Sequence, residues 1–255
     1  MRAFTISAAL VAGLSFGCTD DVDEAWFLDH DRIIAVRATP PRIASGESSN
    51  IDALLGKKGA DPEEAVPPLA QVVSPQSLAS TLTVTGTTVT VTAPDEARLA
   101  AARTELGLPA GAPVPLQIGV AFPATQFPNT TEEEGFAALK TVYLGEHAEN
   151  PTLTNFVSDG QDGATLTEVH MGAVEKFRLS VDADNEVAGD DVNWLTSVGT
   201  LHDFDLPRSY ITIEDEDRLE GSLALILRKE NGGVTWKVWP MTAEAPPGYK
   251  PPEPE

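Results

Sequence analysis

The sequence predicts an all-β chain folded as two β-sandwiches, the first with an inserted short helix. Three observations carry that prediction. Short apolar runs recur with period-two alternation, clusters of Gly, Pro, Asn and Asp separate them, and one stretch alone, near 95–106, has helical spacing. Many strands and a single helix favour packed sheets over alternating βαβ units.

Taken in order, Arg32-Ile33-Ile34-Ala35-Val36-Arg37-Ala38 reads as a strand stopped by Pro40 and Pro41. Gly46-Glu47 turns the chain into a second strand, Asn50–Leu55, with Ile51, Ala53 and Leu55 on one face. Residues 56–76, rich in Gly, Lys, Asp and Pro, read as a long loop. Leu82 and Val84, then Val89 and Val91, alternate with threonines about Gly86, a hairpin pattern. Pro94-Asp95-Glu96 opens a helix, with acidic residues at the positive end of its dipole. Leu99, Ala102 and Leu106 share a side, and Gly107 followed by Pro109 ends it. Pro115–Phe122 and Ala137–Leu144 complete the first unit as strands.

The second unit starts near Pro151. Its strands are expected at Thr152–Val157, Lys176–Val181, Val192–Leu195, Tyr210–Ile213, Ser222–Leu227 and Val234–Trp239, the last two joined through Asn231-Gly232. Leu223–Leu227 is apolar on both faces and belongs at the centre of a sheet. The resulting layout is a leader over 1–17, an acidic tether over 18–31, sandwiches over 32–147 and 148–243, and a disordered proline-rich tail over 244–255.

Phe177–Val181, then Trp194 on the next strand, then Glu220–Leu225 and the closing hairpin resemble an immunoglobulin-like bacterial domain. Sandwiches of that family bury a tryptophan on the third strand, the place that Trp194 holds. No cysteine pair links the sheets, because Cys18 is the chain's one cysteine. The first unit resembles such a domain more weakly, its helix replacing a connection between two late strands.

Arg2 precedes an apolar run from Ile6 to Phe16, too short to span a bilayer but suited to a secretory signal. Leu14, Ser15, Gly17 and Cys18 resemble the end of a bacterial lipoprotein signal, which implies cleavage before Cys18 and lipid attachment to its thiol. The alternative is an ordinary secretory signal cut nearby, with Cys18 a bystander. Two or more acyl chains make a stable anchor without a spanning helix. Thr19 does not match the aspartate that retains some lipoproteins at the inner membrane, which directs the expectation to the outer membrane.

A formal net charge of −22 excludes a phosphate-backbone partner, since nucleic-acid binding needs clustered Lys and Arg. It also argues against adsorption to anionic lipid, leaving membrane contact to the anchor. The most suggestive site is the acidic loop 182–191, where Asp182, Asp184, Asp190 and Asp191 could supply oxygens to calcium. Val187 stands where an EF-hand needs glycine, and a solvated loop is the simpler reading. Asp29-His30-Asp31 reads as the solvated start of a strand rather than a metal set. His147, His170 and His202 are isolated, and no nucleophile motif or phosphate loop occurs. Of Trp236 and Trp239, on opposite faces of the last strand, an exposed one would suit a sugar or partner; coverage by a neighbouring domain is the simpler reading.

These residues point to a non-catalytic, membrane-anchored binding or scaffolding protein of the cell envelope, with another envelope protein or a glycan as partner. A calcium-dependent carbohydrate-binding module and a hydrolase without a recognisable motif are the alternatives.

Overall fold

The computed structural model describes residues 24–127, 129, 135–163, 165–183 and 191–252. In the first sandwich, β1 (Arg32–Thr39), β3 (Ser48–Lys57), β7 (Thr88–Thr92) and β6 (Leu82–Thr85) lie side by side in that order. β4 (Ala60–Ala65) adds to the C-terminal half of β3. The facing sheet runs β2 (Arg42–Ile43), β9 (Phe136–Leu144), β8 (Val114–Phe122), β5 (Leu69–Ser74). In the second sandwich one sheet is β11 (Gln161–Asp162), β10 (Leu153–Ser158), β13 (Phe177–Ala183), β16 (Arg208–Thr212), β15 (Thr200–His202). The other is β12 (Val169–Met171), β18 (Val234–Ala243), β17 (Glu220–Arg228), β14 (Asp191–Thr196).

Both halves share one topology. The opening strand splits between sheets: β1 and β10 pair antiparallel on one side, while β2 and β12 run parallel to the last strands β9 and β18 on the other. With β4 and β11 as additions, this is the strand order of an immunoglobulin constant-type sandwich. Between β7 and β8 stands α1 (Glu96–Leu106), in place of a loop. Asp95 caps it by accepting from the Arg98 amide at 3.0 Å, and Gly107 ends it at a left-handed φ of 67°.

Each sandwich closes over its own core. Ile51, Ala53 and Leu55 meet Leu116, Ile118 and Val142 in the first, with Leu99 and Ala102 of α1 beneath them. Phe177, Leu179 and Val181 meet Trp194, Leu225 and Trp239 in the second. β17 is central, as its sequence predicts: Leu223, Leu225 and Leu227 enter this core while Ala224 and Ile226 face outward.

That outward face is not open to solvent. Ala224, Ile226, Leu195, Val234 and Trp236 pack on Ile34, Ala35 and Leu54 of the first sandwich, joining the two domains sheet to sheet. β4 matters here. The 56–76 stretch, expected as a loop, contains β4 and β5, and β4 extends the platform beneath the second domain. Its Glu64 accepts from Trp236 Nε1 at 2.6 Å, and Asp61 accepts from the Ser222 hydroxyl at 2.7 Å. Arg37 stacks 3.8 Å from the Trp236 ring centroid and pairs with Asp52 across the strands. Trp236 is therefore covered by a neighbouring domain, and Trp239 is buried in the core.

Three further expectations need correction. The tether over 18–31 is, in its described part, packed structure: the Leu28 amide donates to Thr196 O at 2.9 Å and the Thr196 amide to Trp26 O at 3.1 Å, a parallel bridge beside the end of β14. Asp29 is buried rather than solvated, because it pairs with Arg218 of the second domain and accepts from the Gly59 amide at 2.5 Å. Nor is the tail unstructured where it is described. The Glu216 amide donates to Lys250 O at 2.9 Å, Tyr249 donates to Asp217 O, and Lys250 pairs with Asp215 at 3.2 Å.

The joint also buries a lysine. Lys140 of β9 is 6% exposed and donates to Gly232 O of the β17–β18 turn at 2.7 Å. Burial, aided by the nearby Arg228 cation and partly opposed by Asp52, lowers its pKa from 10.5 to about 8. Between pH 8 and 10.5 the folded side chain is neutral while the unfolded one still holds its proton, so stability rises with pH across that window. Below it both states are charged and the burial penalty is constant. The stability of the natural chain minus that of Lys140→Met is expected to rise by roughly 3 kcal/mol from pH 8 to 10.5 in urea titrations. A flat difference would contradict this assignment.

Candidate functional site

The best candidate is the part of a sheet face that lies beyond the contact of Tyr143 with the β17–β18 turn and is open. In the first sandwich, the outward residues of β5, β8 and β9 are Leu69, Gln71 and Val73, then Gly119 and Ala121, then Ala137 and Leu139. Alternation places them there, since Ile118, Val120 and Phe122 between them point to the core. Leu69 is 61% exposed and Leu139 66%, unusual for leucines on regular strands. Between these ridges the small residues form a shallow trough of about 700 Å³. Gly119 forms its floor: a Cβ there would stand 3.3 Å from Val73 Cγ2. Among the residues that line the trough, none carries a charge.

The two domains make the comparison internal. The equivalent face of the second sandwich, on β14, β17 and β18, is also apolar and is covered by the first domain. An apolar face on this topology thus already serves once in this chain as a docking surface for another sheet. Its counterpart in the first domain has the same character and stands open, the pattern of an interaction site.

The residues singled out by sequence lie elsewhere. Cys18, Asp184 and Asp190 fall outside the described residues. Asp182 accepts from Asn155 Nδ2 at 3.2 Å, and Asp191 is exposed at the start of β14, opposite Arg228. His147 is isolated in sequence but not in space. Its Nδ1 lies 2.9 Å from Glu47 and its Nε2 3.0 Å from Glu149, and both carboxylates raise its pKa. His202 stacks on Tyr210, and His170 Nδ1 lies 3.0 Å from the Thr242 hydroxyl. Among the described residues, no group of three or more His, Cys, Asp or Glu could hold a metal ion. The open face itself was missed because its strand β5 lies between prolines in a stretch read as loop.

No protein-family model and no curated protein matches the chain. Solved structures similar to it include the fibronectin(III)-like modules of Clostridium thermocellum CbhA, at 12% identity and TM-score 0.28 over 82% of this chain and 94% of that one. The N-terminal Ig1-2 module of the Drosophila receptor protein tyrosine phosphatase DLAR aligns at 10% identity and TM-score 0.29, over 84% and 99%. Murine CEACAM1b aligns at 11% identity and TM-score 0.26, over 82% and 100%. The sheet order and register, rather than these distant alignments, identify the architecture as two immunoglobulin-like β-sandwiches joined face to face.

Proposed function

We propose that the chain is a non-catalytic binding or scaffolding protein of the bacterial cell envelope, held by lipid on Cys18, that offers the open face of its first domain to a protein partner. The outer membrane is the favoured site of the anchor. One observation carries the binding role: the apolar face on β5, β8 and β9 is uncovered, whereas its counterpart in the second domain is buried against a sheet. Leu69 and Leu139 are the anchors such a face would use, and the small residues between them leave room for a partner's side chains. The anchor reading is supported by the chain's one cysteine standing at the end of a short apolar leader. Fold alone assigns no function, so the role rests on this surface.

The test places a photo-crosslinking side chain at Ala137 of the full-length protein in native envelopes. A discrete protein adduct is expected, reduced about tenfold or more by Leu139→Asp with Leu69→Asp, a loss of apolar anchors worth at least 1.4 kcal/mol. Stability of that variant should change little, because both side chains are exposed. Cys18→Ser should release the chain from the membrane fraction. An adduct indifferent to the two aspartates would sink the binding face, and membrane retention of the serine variant would sink the anchor.

A further inference from the structure

A chain of net charge −22 carries one sheet face on which three basic side chains gather. On the outer face of the second domain's β10–β13–β16–β15 sheet, Arg178 of β13 lies two residues after Lys176, which directly precedes that strand. Arg178 pairs in register with Tyr210 of β16, and Ser180 with Arg208, so both arginines share this face with Tyr210 between strands. Lys176 Nζ sits 4.4 Å from the Tyr210 ring centroid, and His202 stacks on the same ring at 4.5 Å. The depression they line includes Gly160 and Ser180, with the carboxylates of Asp159 and Asp203 also along it. Neither Arg178 nor Arg208 forms an ion pair among the described residues, although acidic side chains outnumber basic ones in the chain by 39 to 17. Like charges set side by side on a sheet are destabilising, so folding gains nothing from this grouping.

The path of the chain indicates what lies opposite. Trp26 and Leu28 hydrogen-bond to Thr196 at the end of β14, and Ala25 shares a small cleft with Phe204, the neighbour of Asp203 in the cationic depression. Cys18 is six residues before Glu24, a distance of at most about 21 Å even when fully extended. The anchor end of the chain therefore leaves the molecule at the joint between the domains, where Arg32 of the first domain donates to Ala25 O, on the side where Phe204 adjoins this face.

We propose that the face formed by Lys176, Arg178, Arg208 and Tyr210 seats the second domain on anionic phospholipid headgroups of the membrane that holds the anchor. The proposal rests on the lipid-anchored reading of Cys18. Headgroup phosphates supply the negative charge that the two arginines lack, and a lipid anchor with a basic patch forms the familiar two-signal attachment. The acidic remainder of the molecule is repelled by the same surface, which orients the first domain and its open apolar face away from the bilayer.

The experiment couples the chain from Cys18 to Glu255 through its cysteine to a maleimide lipid in vesicles, which makes the result independent of lipidation in the cell. Lysine acylation is then followed residue by residue by mass spectrometry. On phosphatidylglycerol mixed into phosphatidylcholine, Lys176 is expected to react about tenfold more slowly than on pure phosphatidylcholine, from the attraction of three cations near the surface. Lys58, exposed on the first domain, should react equally on both. Arg178→Glu with Arg208→Glu should abolish the protection of Lys176, and the milder Arg178→Gln with Arg208→Gln should weaken it. Equal Lys176 rates on the two vesicles would overturn the proposal. Protection reproduced by inorganic phosphate on neutral vesicles would also overturn it, by assigning the face to a soluble anion. The mass of the native N-terminus tests the anchor separately.

Discussion

Replacing Trp236 with alanine is expected to cost about 3–5 kcal/mol and to uncouple the two domains. The indole fills the joint between Ile34, Ala35 and Leu54 on one side and Ala224, Ile226 and Val234 on the other. It also accepts the Arg37 guanidinium on its face and donates to Glu64. Truncation removes all three contacts and leaves Arg37 over a cavity. The joint is the main link between two units that each hold a complete core, so its loss should change the form of unfolding as well as its midpoint. In calorimetry the natural chain should unfold in one transition and Trp236→Ala in two. A variant that still unfolds in a single transition at an unchanged temperature would show that the sheet-to-sheet contact carries little free energy.

Trp194→Ala should cost a similar amount, about 3–5 kcal/mol, with a different signature. Trp194 is fully buried at the centre of the second core, beside Phe156 at 5.6 Å between ring centroids, and its Nε1 donates to Leu206 O at 2.9 Å. The alanine variant opens a cavity and strips a carbonyl of its partner. Because the joint stays intact, the single coupled transition should move to lower temperature without splitting into two. Trp194→Phe retains much of the volume but not the donor, and should cost about 1–3 kcal/mol. Urea titrations of the pair separate packing from the hydrogen bond. Equal losses for the two variants would mean that the cavity is not what destabilises the domain.

Much of the architecture is legible in local pattern. Alternation over Asn50–Leu55 and over Phe177–Val181 identifies the inward face of each strand, and the structure puts those residues in the cores. Asp95 and Gly107 mark the helix ends by their chemistry, since one offers a carboxylate to an open amide and the other adopts a left-handed φ. Leu54 shows where alternation stops informing. Its parity assigns it to the outer face, yet it is buried, because a second domain lies on that face. β4 escapes notice for the same reason. Ala-Asp-Pro-Glu-Glu-Ala has the composition of a loop, and it becomes a strand by pairing with β3.

The candidate surfaces divide along the same line. Leu69, Gly119 and Leu139 lie on three strands and become one face only when β5, β8 and β9 pair. Arg178 and Arg208 are scattered basic residues in an acidic chain until the register of β13 and β16 brings them to one face, beside Lys176 at the entry to β13. Net charge predicts repulsion from anionic lipid for the molecule as a whole, and averages away the one face that differs.

By itself, the sequence determined the class of fold, the order of most strands, the helix and its caps, the central place of β17, and the expectation of a lipid anchor at Cys18. Each of these depends on residues close together in the chain, where side-chain period, turn chemistry and capping act. Tertiary structure alone decided which sheet faces are covered, why Asp29 and Lys140 are buried, and where apolar and cationic surfaces remain open. Those outcomes depend on the meeting of surfaces remote in sequence, since the free energy of burying a face belongs to both of its partners and is written in neither one.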